Sequence, residues 1–155
     1  MELNWTLVLD RCFHLAIAYI LAVPIGWDRE LRSRSAGLRT YPLVAIGACS
    51  FLIVGESFLQ ETESNARLIQ GLMGGLGFLG GGAILKRGED VAGMATAASI
   101  WITGSIGMAV ALRHYEIAIV LSVFSFFTLS IGRRLKATIN PEHVELDRDA
   151  DERDE

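Results

Sequence analysis

Apolar residues fall along this chain in five runs separated by short polar breaks. A bilayer core of about 30 Å takes roughly 20 helical residues, with a range of about 17–25, and each run can be held against that length. Residues 66–85 and 91–112 meet it outright: they are long, uncharged apart from Arg67 at one edge, and too evenly apolar for amphipathic surface helices. The other three are marginal. Residues 12–27 are short unless the helix takes in 7–11, residues 41–55 are short unless it runs past Glu56 to Leu59, and residues 117–131 lean on their flanks, where Tyr115, Arg133 and Arg134 can snorkel to the interface.

The placement of Lys and Arg orients these spans, because short cytoplasmic loops carry them in excess. Arg29, Arg32, Arg34 and Arg39 follow the first span, Lys86 and Arg87 the third, and Arg133, Arg134 and Lys136 the last. The alternate loops hold Glu56, Glu61 and Glu63, or only Arg113 beside His114 and Glu116. All basic segments share one side of a five-span model, and an even number of spans would break that agreement. The pattern therefore predicts an all-α integral membrane bundle of about five transmembrane helices, with the N-terminus outside and the C-terminus in the cytoplasm.

Composition supports this reading. Of 155 residues, 51% are hydrophobic, and runs that follow so closely on one another find lipid a readier burial partner than a single soluble core. The net charge of -4 is uneven: residues 142–155 hold eight acids against Arg148 and Arg153, leaving twelve of the 14 bases and ten of the 18 acids for the remainder. We accordingly divide the chain into a transmembrane domain, residues 1–136, and an acidic tail, residues 137–155, with the composition of a disordered end. Nothing points to nucleic acid. Cys12 and Cys49 sit within apolar runs without metal spacing and read as structural. The first ten residues carry Glu2 and Asp10 but no base, so the first run is expected to stay in the mature chain rather than be removed as a signal peptide.

The densest local feature is the glycine run Gly71, Gly74, Gly75, Gly77, Gly80, Gly81 and Gly82. Gly71 to Gly75 and Gly77 to Gly81 have the small-xxx-small spacing that lets helix backbones approach in lipid, which predicts a packing helix at the centre of the bundle. The Gly80–Gly82 triplet is also able to unwind and present carbonyls to an ion. A phosphate loop is excluded by context, since no strand precedes the run and no G-K-[ST] follows it. The next span offers Gly93, Thr96, Ser99, Thr103, Gly104 and Gly107 as a small, hydroxyl-bearing counterpart surface.

Two polar clusters stand near span ends. Asp28, Arg29, Glu30 and Arg39 lie where the first span leaves the membrane and the second enters. Ionisable groups there are expensive unless paired, so Asp28 or Glu30 is expected to pair with Arg39. The functional reading beside it is ion or partner contact, with Asp28 and Glu30 as oxygen ligands for Mg²⁺ or a proton. Asp10 and His14, spaced i, i+4, read as a solvated pair at a helix start, with a proton relay as the alternative. His14, His114 and His143 lie in unlike settings and no nucleophile elbow, zinc spacing or kinase signature accompanies them, so no enzyme and no cofactor are expected.

The blocks G-W-D-R-E (Gly26 to Glu30), A-G-L-R-T (Ala36 to Thr40), G-L-G-F-L-G-G-G-A-I-L-K (Gly75 to Lys86) and G-M-A-T-A-A-S-I-W (Gly93 to Trp101), in this order and spacing, resemble the MgtC/SapB family. The resemblance covers Gly26 to about Tyr115. It implies a bacterial inner-membrane protein linked to magnesium limitation, acid or intracellular stress and, in some members, virulence. It further implies a modulator of ion or energy homeostasis acting through membrane-protein contacts, with the F-type ATP synthase as a partner; the alternative is a small-ion, Mg²⁺, transporter or channel working as an oligomer. Homo-oligomerisation is expected in either case. The chain departs from the family pattern in having Asp28 where Glu is frequent, and Ala95 where some virulence-type members have Asn. The C-terminal ligand-binding-like domain of longer members is replaced by the acidic tail, so regulation through that domain is expected to be absent.

Overall fold

Five helices and one small hairpin build the chain in a computed structural model that describes residues 4–31, 36–58, 62–87 and 90–139. Helix α1, Trp5–Glu30, begins at Asn4, whose side chain accepts the N–H groups of Thr6 and Leu7 at 3.2 and 3.4 Å and so satisfies donors that the first turn leaves open. At 1.5 Å per residue its 26 residues reach about 39 Å. The run that looked short is thus the longest helix. Helix α2, Thr40–Phe58, carries Pro42 in its first turn, where the missing N–H costs no helical bond. Helix α3, Thr62–Gly82, leads into strands β1, Leu85–Arg87, and β2, Asp90–Ala92, which pair antiparallel with Leu85 opposite Ala92 and Arg87 opposite Asp90. Helices α4, Met94–Ala111, and α5, Tyr115–Ile139, complete the bundle.

The hairpin falls in the break between the third and fourth apolar runs, where the sequence pattern predicts no element. Its exit depends on Gly93, at φ 90°, where an added Cβ would stand 1.9 Å from the Ala83 carbonyl oxygen. Both the left-handed backbone and the space require glycine there. Between α4 and α5 the chain reverses at Arg113, φ 62°, with the His114 N–H bonded to the Ala109 carbonyl at 2.9 Å, the 6→1 bond of a left-handed helix stop.

The central helix is α4, which contacts all four others, whereas among the described residues α3 packs chiefly on α4 and α2, at the edge of the bundle. This overturns the expectation that the glycine-rich helix is central. The core is built of small residues, among them Ala18, Ala22, Ala45, Ala48 and Ala109, with Tyr41, Ile25 and Ile106 as its largest fully buried side chains. Small hydroxyl residues are inside and phenylalanines outside: Thr96, Ser99, Thr103 and Ser122 are buried, while Phe13, Phe51, Phe78, Phe124 and Phe127 are exposed. That inversion is the pattern of a bundle solvated by hydrocarbon, where helices associate through small residues and hydrogen bonds rather than by hiding apolar surface.

Three helices are long and apolar enough to cross a membrane, Trp5–Glu30, Met94–Ala111 and the Tyr115–Gly132 part of α5, and Thr40–Glu56 is a shorter apolar helix. The first and last runs, expected to be marginal, are therefore full spans, because each helix takes in its polar flanks. The 66–85 run, expected to pass outright, does not belong to that group: α3 has the length, but glycine, Asn65 and Gln70 dilute its apolarity. Helix α5 continues through Ile139, three residues into the segment read as tail, and residues 140–155 lie outside the described residues.

Candidate functional site

The last turn of α1 sends three consecutive side chains in three directions, because successive helical positions are about 100° apart. Asp28 turns inward and is buried, with 3% of its surface exposed, and accepts a hydrogen bond from Ser130 Oγ of α5 at 3.2 Å. Arg29 reaches across to α4, where its Nη2 donates to Thr96 Oγ1. Glu30 stays at the surface and accepts the Leu38 N–H at 2.8 Å, closing the turn that leads into α2. That turn lies directly on α1: a Cβ at Gly37 would meet Glu30 Oε2 at 1.8 Å, and one at Gly26 would meet Leu38 Cα at 3.3 Å. Both glycines of the first two sequence blocks are thus where the two backbones meet.

From α2, the fully buried Tyr41 puts its hydroxyl 2.7 Å from Ser99 Oγ of α4. Ser99 has one proton, and its Oγ also lies 2.7 Å from the Ala95 carbonyl, which can only accept. The Ser99 proton therefore goes to its own helix, and Tyr41 donates to Ser99. In this way α1, α2, α4 and α5 are fastened together at one level by Asp28–Ser130, Arg29–Thr96 and Tyr41–Ser99.

The structure separates the predicted constellation. Arg39 is exposed and forms no ion pair with Asp28 or Glu30, which corrects the expected pairing: Arg39 stands at the surface in the turn just before α2, and Thr96 takes its place as the cross-helix partner of this cluster. Asp28 and Glu30 have different surroundings, one inside the bundle and one on its surface. Among the described residues no group of three or more His, Cys, Asp or Glu is placed to hold a metal ion.

Of the predicted packing glycines, Gly80 lies 3.1 Å (as a Cβ) from the Ala97 carbonyl oxygen, while Cβ atoms at Gly71, Gly74, Gly75, Gly77, Gly81 and Gly82 would meet nothing within 4 Å. Within one chain the tight helical contacts are instead at Gly55 of α2, where a Cβ would stand 2.0 Å from Leu68 of α3, and in α4. A Cβ at Gly107 would stand 2.1 Å from the Ala45 carbonyl oxygen of α2, and one at Gly104 would stand 2.2 Å from Leu76 of α3. Gly93 serves the hairpin exit, and Thr96 is a buried hydrogen-bond partner.

A second cluster lies 14 residues, about 21 Å, back along α1. His14 is 2% exposed, with Nδ1 2.7 Å from the Asp10 carbonyl and Nε2 2.9 Å from the Tyr115 hydroxyl of α5. The carbonyl only accepts, so Nδ1 carries the proton and Nε2 accepts from Tyr115. Asp10 Oδ2 lies 3.4 Å from Arg113 Nη2. Of the pair expected to be solvated, His14 is therefore buried, because Tyr115 of α5 lies against it, while Asp10 stays partly exposed. Tyr41, Tyr115 and Ser130, all part of these networks, carry no spacing signal; Tyr41 is marked only by following the A-G-L-R-T block.

The MgtC family profile matches residues 15–138, four fifths of the chain, and so includes every residue of the α1, α2, α4 and α5 junction. The chain belongs to the MgtC family. Among family relatives, SrpB of Synechococcus elongatus is 34% identical over 141 residues, covering 83% of this chain and 78% of that protein. YhiD of Escherichia coli K12, provisionally named a magnesium transporter, is 34% identical over 128 residues, 78% of this chain and 60% of its own length. The MgtC protein of Brucella abortus is 40% identical over 110 residues, 71% of this chain and 46% of its own. The chain thus spans less than two thirds of the length of the latter two relatives. No solved structure matches it. Family membership and the apolar outer surface of the helices together make this a membrane protein, in contact with the lipid bilayer.

Proposed function

We propose that the protein is a multi-pass protein of the bacterial inner membrane that modulates magnesium or energy homeostasis through contacts with other membrane proteins, its N-terminus outside and its C-terminus in the cytoplasm. The observation that carries this reading is the commitment of the polar core: Asp28, Arg29, Tyr41, Thr96, Ser99 and Ser130 are engaged in holding four helices together, as a joint is, rather than lining a path. The link to magnesium comes from the family relatives, one of them provisionally named a magnesium transporter. For the contact surface, Gly74, Gly77 and Gly81 share one outward strip of α3 where a neighbouring backbone can come close. A second copy and a larger complex such as the F-type ATP synthase both suit that strip.

One observation favours a second reading, ion transport by an oligomer. Asp28 is a carboxylate buried at the membrane end of a helix, and such groups mark ion pathways. Reconstitution separates the two. Vesicles holding this protein alone are expected to show no Mg²⁺ entry above protein-free vesicles. Mg²⁺ entry that Asp28→Asn abolishes would overturn the modulator reading in favour of transport.

A further inference from the structure

Between α2 and α3 runs an apolar groove of about 520 Å³. Leu43, Gly47 and Phe51 line it from α2 and Gly71, Gly75 and Leu79 from α3, each set spaced i, i+4, i+8 and so forming one straight wall. Its depth comes from the glycines, since Cβ atoms at Gly47, Gly71 and Gly75 would meet nothing within 4 Å. Val44 and Leu79 also line a second hollow of about 250 Å³, which carries the groove on past Thr40 to Leu85. At that end the sequence continues directly into Arg39 before Thr40 and Lys86 after Leu85. Both cations are exposed, and neither forms a hydrogen bond or ion pair among the described residues.

We propose that this groove holds an anionic phospholipid, its acyl chain lying between α2 and α3 and its phosphate between Arg39 and Lys86. Three observations select this occupant. The wall from Arg39 to Phe51 is 12 residues, about 18 Å, long. One leaflet's share of a 30 Å hydrocarbon core is about 15 Å, so the groove runs from a headgroup level to the midplane and ends there. The charge complements the ligand, with a cation next in sequence to a lining residue on each wall, Arg39 beside Thr40 and Lys86 beside Leu85, and apolar walls below, as in headgroup pockets between transmembrane helices on the basic side of a membrane. A second copy is disfavoured by the same charges: two parallel chains set groove to groove about a twofold axis would bring each Arg39 and Lys86 toward its own duplicate. The strip of Gly74, Gly77 and Gly81 points away from this groove by helical geometry, so lipid here and a protein neighbour there are compatible, and this inference does not depend on the function proposed above.

The test is native mass spectrometry of the full chain released from detergent, titrated with phosphatidylglycerol or phosphatidylcholine of the same acyl chains. Retention of phosphatidylglycerol is expected to exceed that of phosphatidylcholine by about fivefold for each cation at the membrane surface, roughly thirtyfold for two. Arg39→Gln with Lys86→Gln should remove the preference while leaving weak retention of both lipids. Gly75→Leu, which fills the groove, should abolish retention of both, and Gly74→Leu, one position round the helix, should leave it intact; circular dichroism reports whether each variant keeps its helices. If Gly75→Leu loses its helices, Gly47→Val fills the opposite wall and carries the same expectation. Equal retention of the two lipids by the wild-type chain overturns the proposal. So does a dimer that excludes lipid and dissociates on Gly75→Leu, which would assign the groove to a second copy.

Discussion

Substitution of Gly107 by alanine tests the central claim about packing, that α4 and α2 are held apart by nothing but backbone. The added methyl would stand 2.1 Å from the Ala45 carbonyl oxygen, 3.0 Å from its carbonyl carbon and 3.1 Å from the Ala48 Cβ. Two of those three atoms are main chain in the middle of a helix, and no rotamer change clears them. Helix α2 has to move away by about an ångström, opening contacts along the whole α2–α4 seam. Relative to a glycine-to-alanine change in open space, overpacking of this kind costs about 1–3 kcal/mol, which is about 5- to 150-fold in the unfolding constant. Gly132→Ala on α5 is the control. It lies in a helix with no atom within 4 Å of the new methyl, so the helical preference of alanine over glycine acts there alone, worth up to about 1 kcal/mol in favour of the folded chain, and the same gain is present at position 107. Equilibrium unfolding in mixed micelles, titrated with dodecyl sulfate and followed by circular dichroism and Trp fluorescence, should place Gly107→Ala below Gly132→Ala by the overpacking cost of about 1–3 kcal/mol. If Gly107→Ala unfolds together with the control, the α2–α4 contact is looser than described and the argument for α4 as the packing centre fails.

Thr96→Val keeps the shape of the side chain but strands the Arg29 guanidinium; a hydrogen bond to a charged group is worth about 1.5–3 kcal/mol, so this variant should be destabilised by that amount in the same assay. Thr96→Ser retains the hydroxyl and should lose only a methyl's worth, less than about 1 kcal/mol, and equal effects of Val and Ser would deny the bond a role. Tyr115→Phe should cost about 0.5–1.5 kcal/mol and, in ¹⁵N spectra of labelled histidine, move the His14 Nε2 resonance while leaving Nδ1 protonated; an unmoved Nε2 would place Tyr115 elsewhere.

The number of helices was legible because hydrocarbon leaves few ways to satisfy a backbone, and five apolar runs translate almost directly into five helices. Their extents were not. Helix α1 starts at Trp5 because Asn4 caps it, and it ends after Arg29 and Glu30 because those side chains have partners on α4 and at Leu38, all information absent from an apolar count. The glycine run was read as the packing centre because spacing reports which positions can pack closely, not where the partner is. The partner for Gly107 is a carbonyl of α2, 62 positions away in the chain, and nothing local announces it. Likewise, Asp28 and Arg29 stood out as unusual charges, but their acceptors and donors, Ser130 and Thr96, are ordinary hydroxyls among many. The strands of the hairpin are three residues each, too short for an alternating pattern to register.

The hydroxyls of α4 have one more consequence, for how the chain is made. Ser99 bonds back to the Ala95 carbonyl, Thr103 to that of Ser99 and Ser105 to that of Trp101, each within its own helix. A segment that arrives at the insertion machinery with its polar groups answered from within carries no debt into lipid. The helix that ends up touching every other can therefore enter the bilayer before α5 has been synthesised, and meet there Arg29 and Tyr41 on the helices made before it.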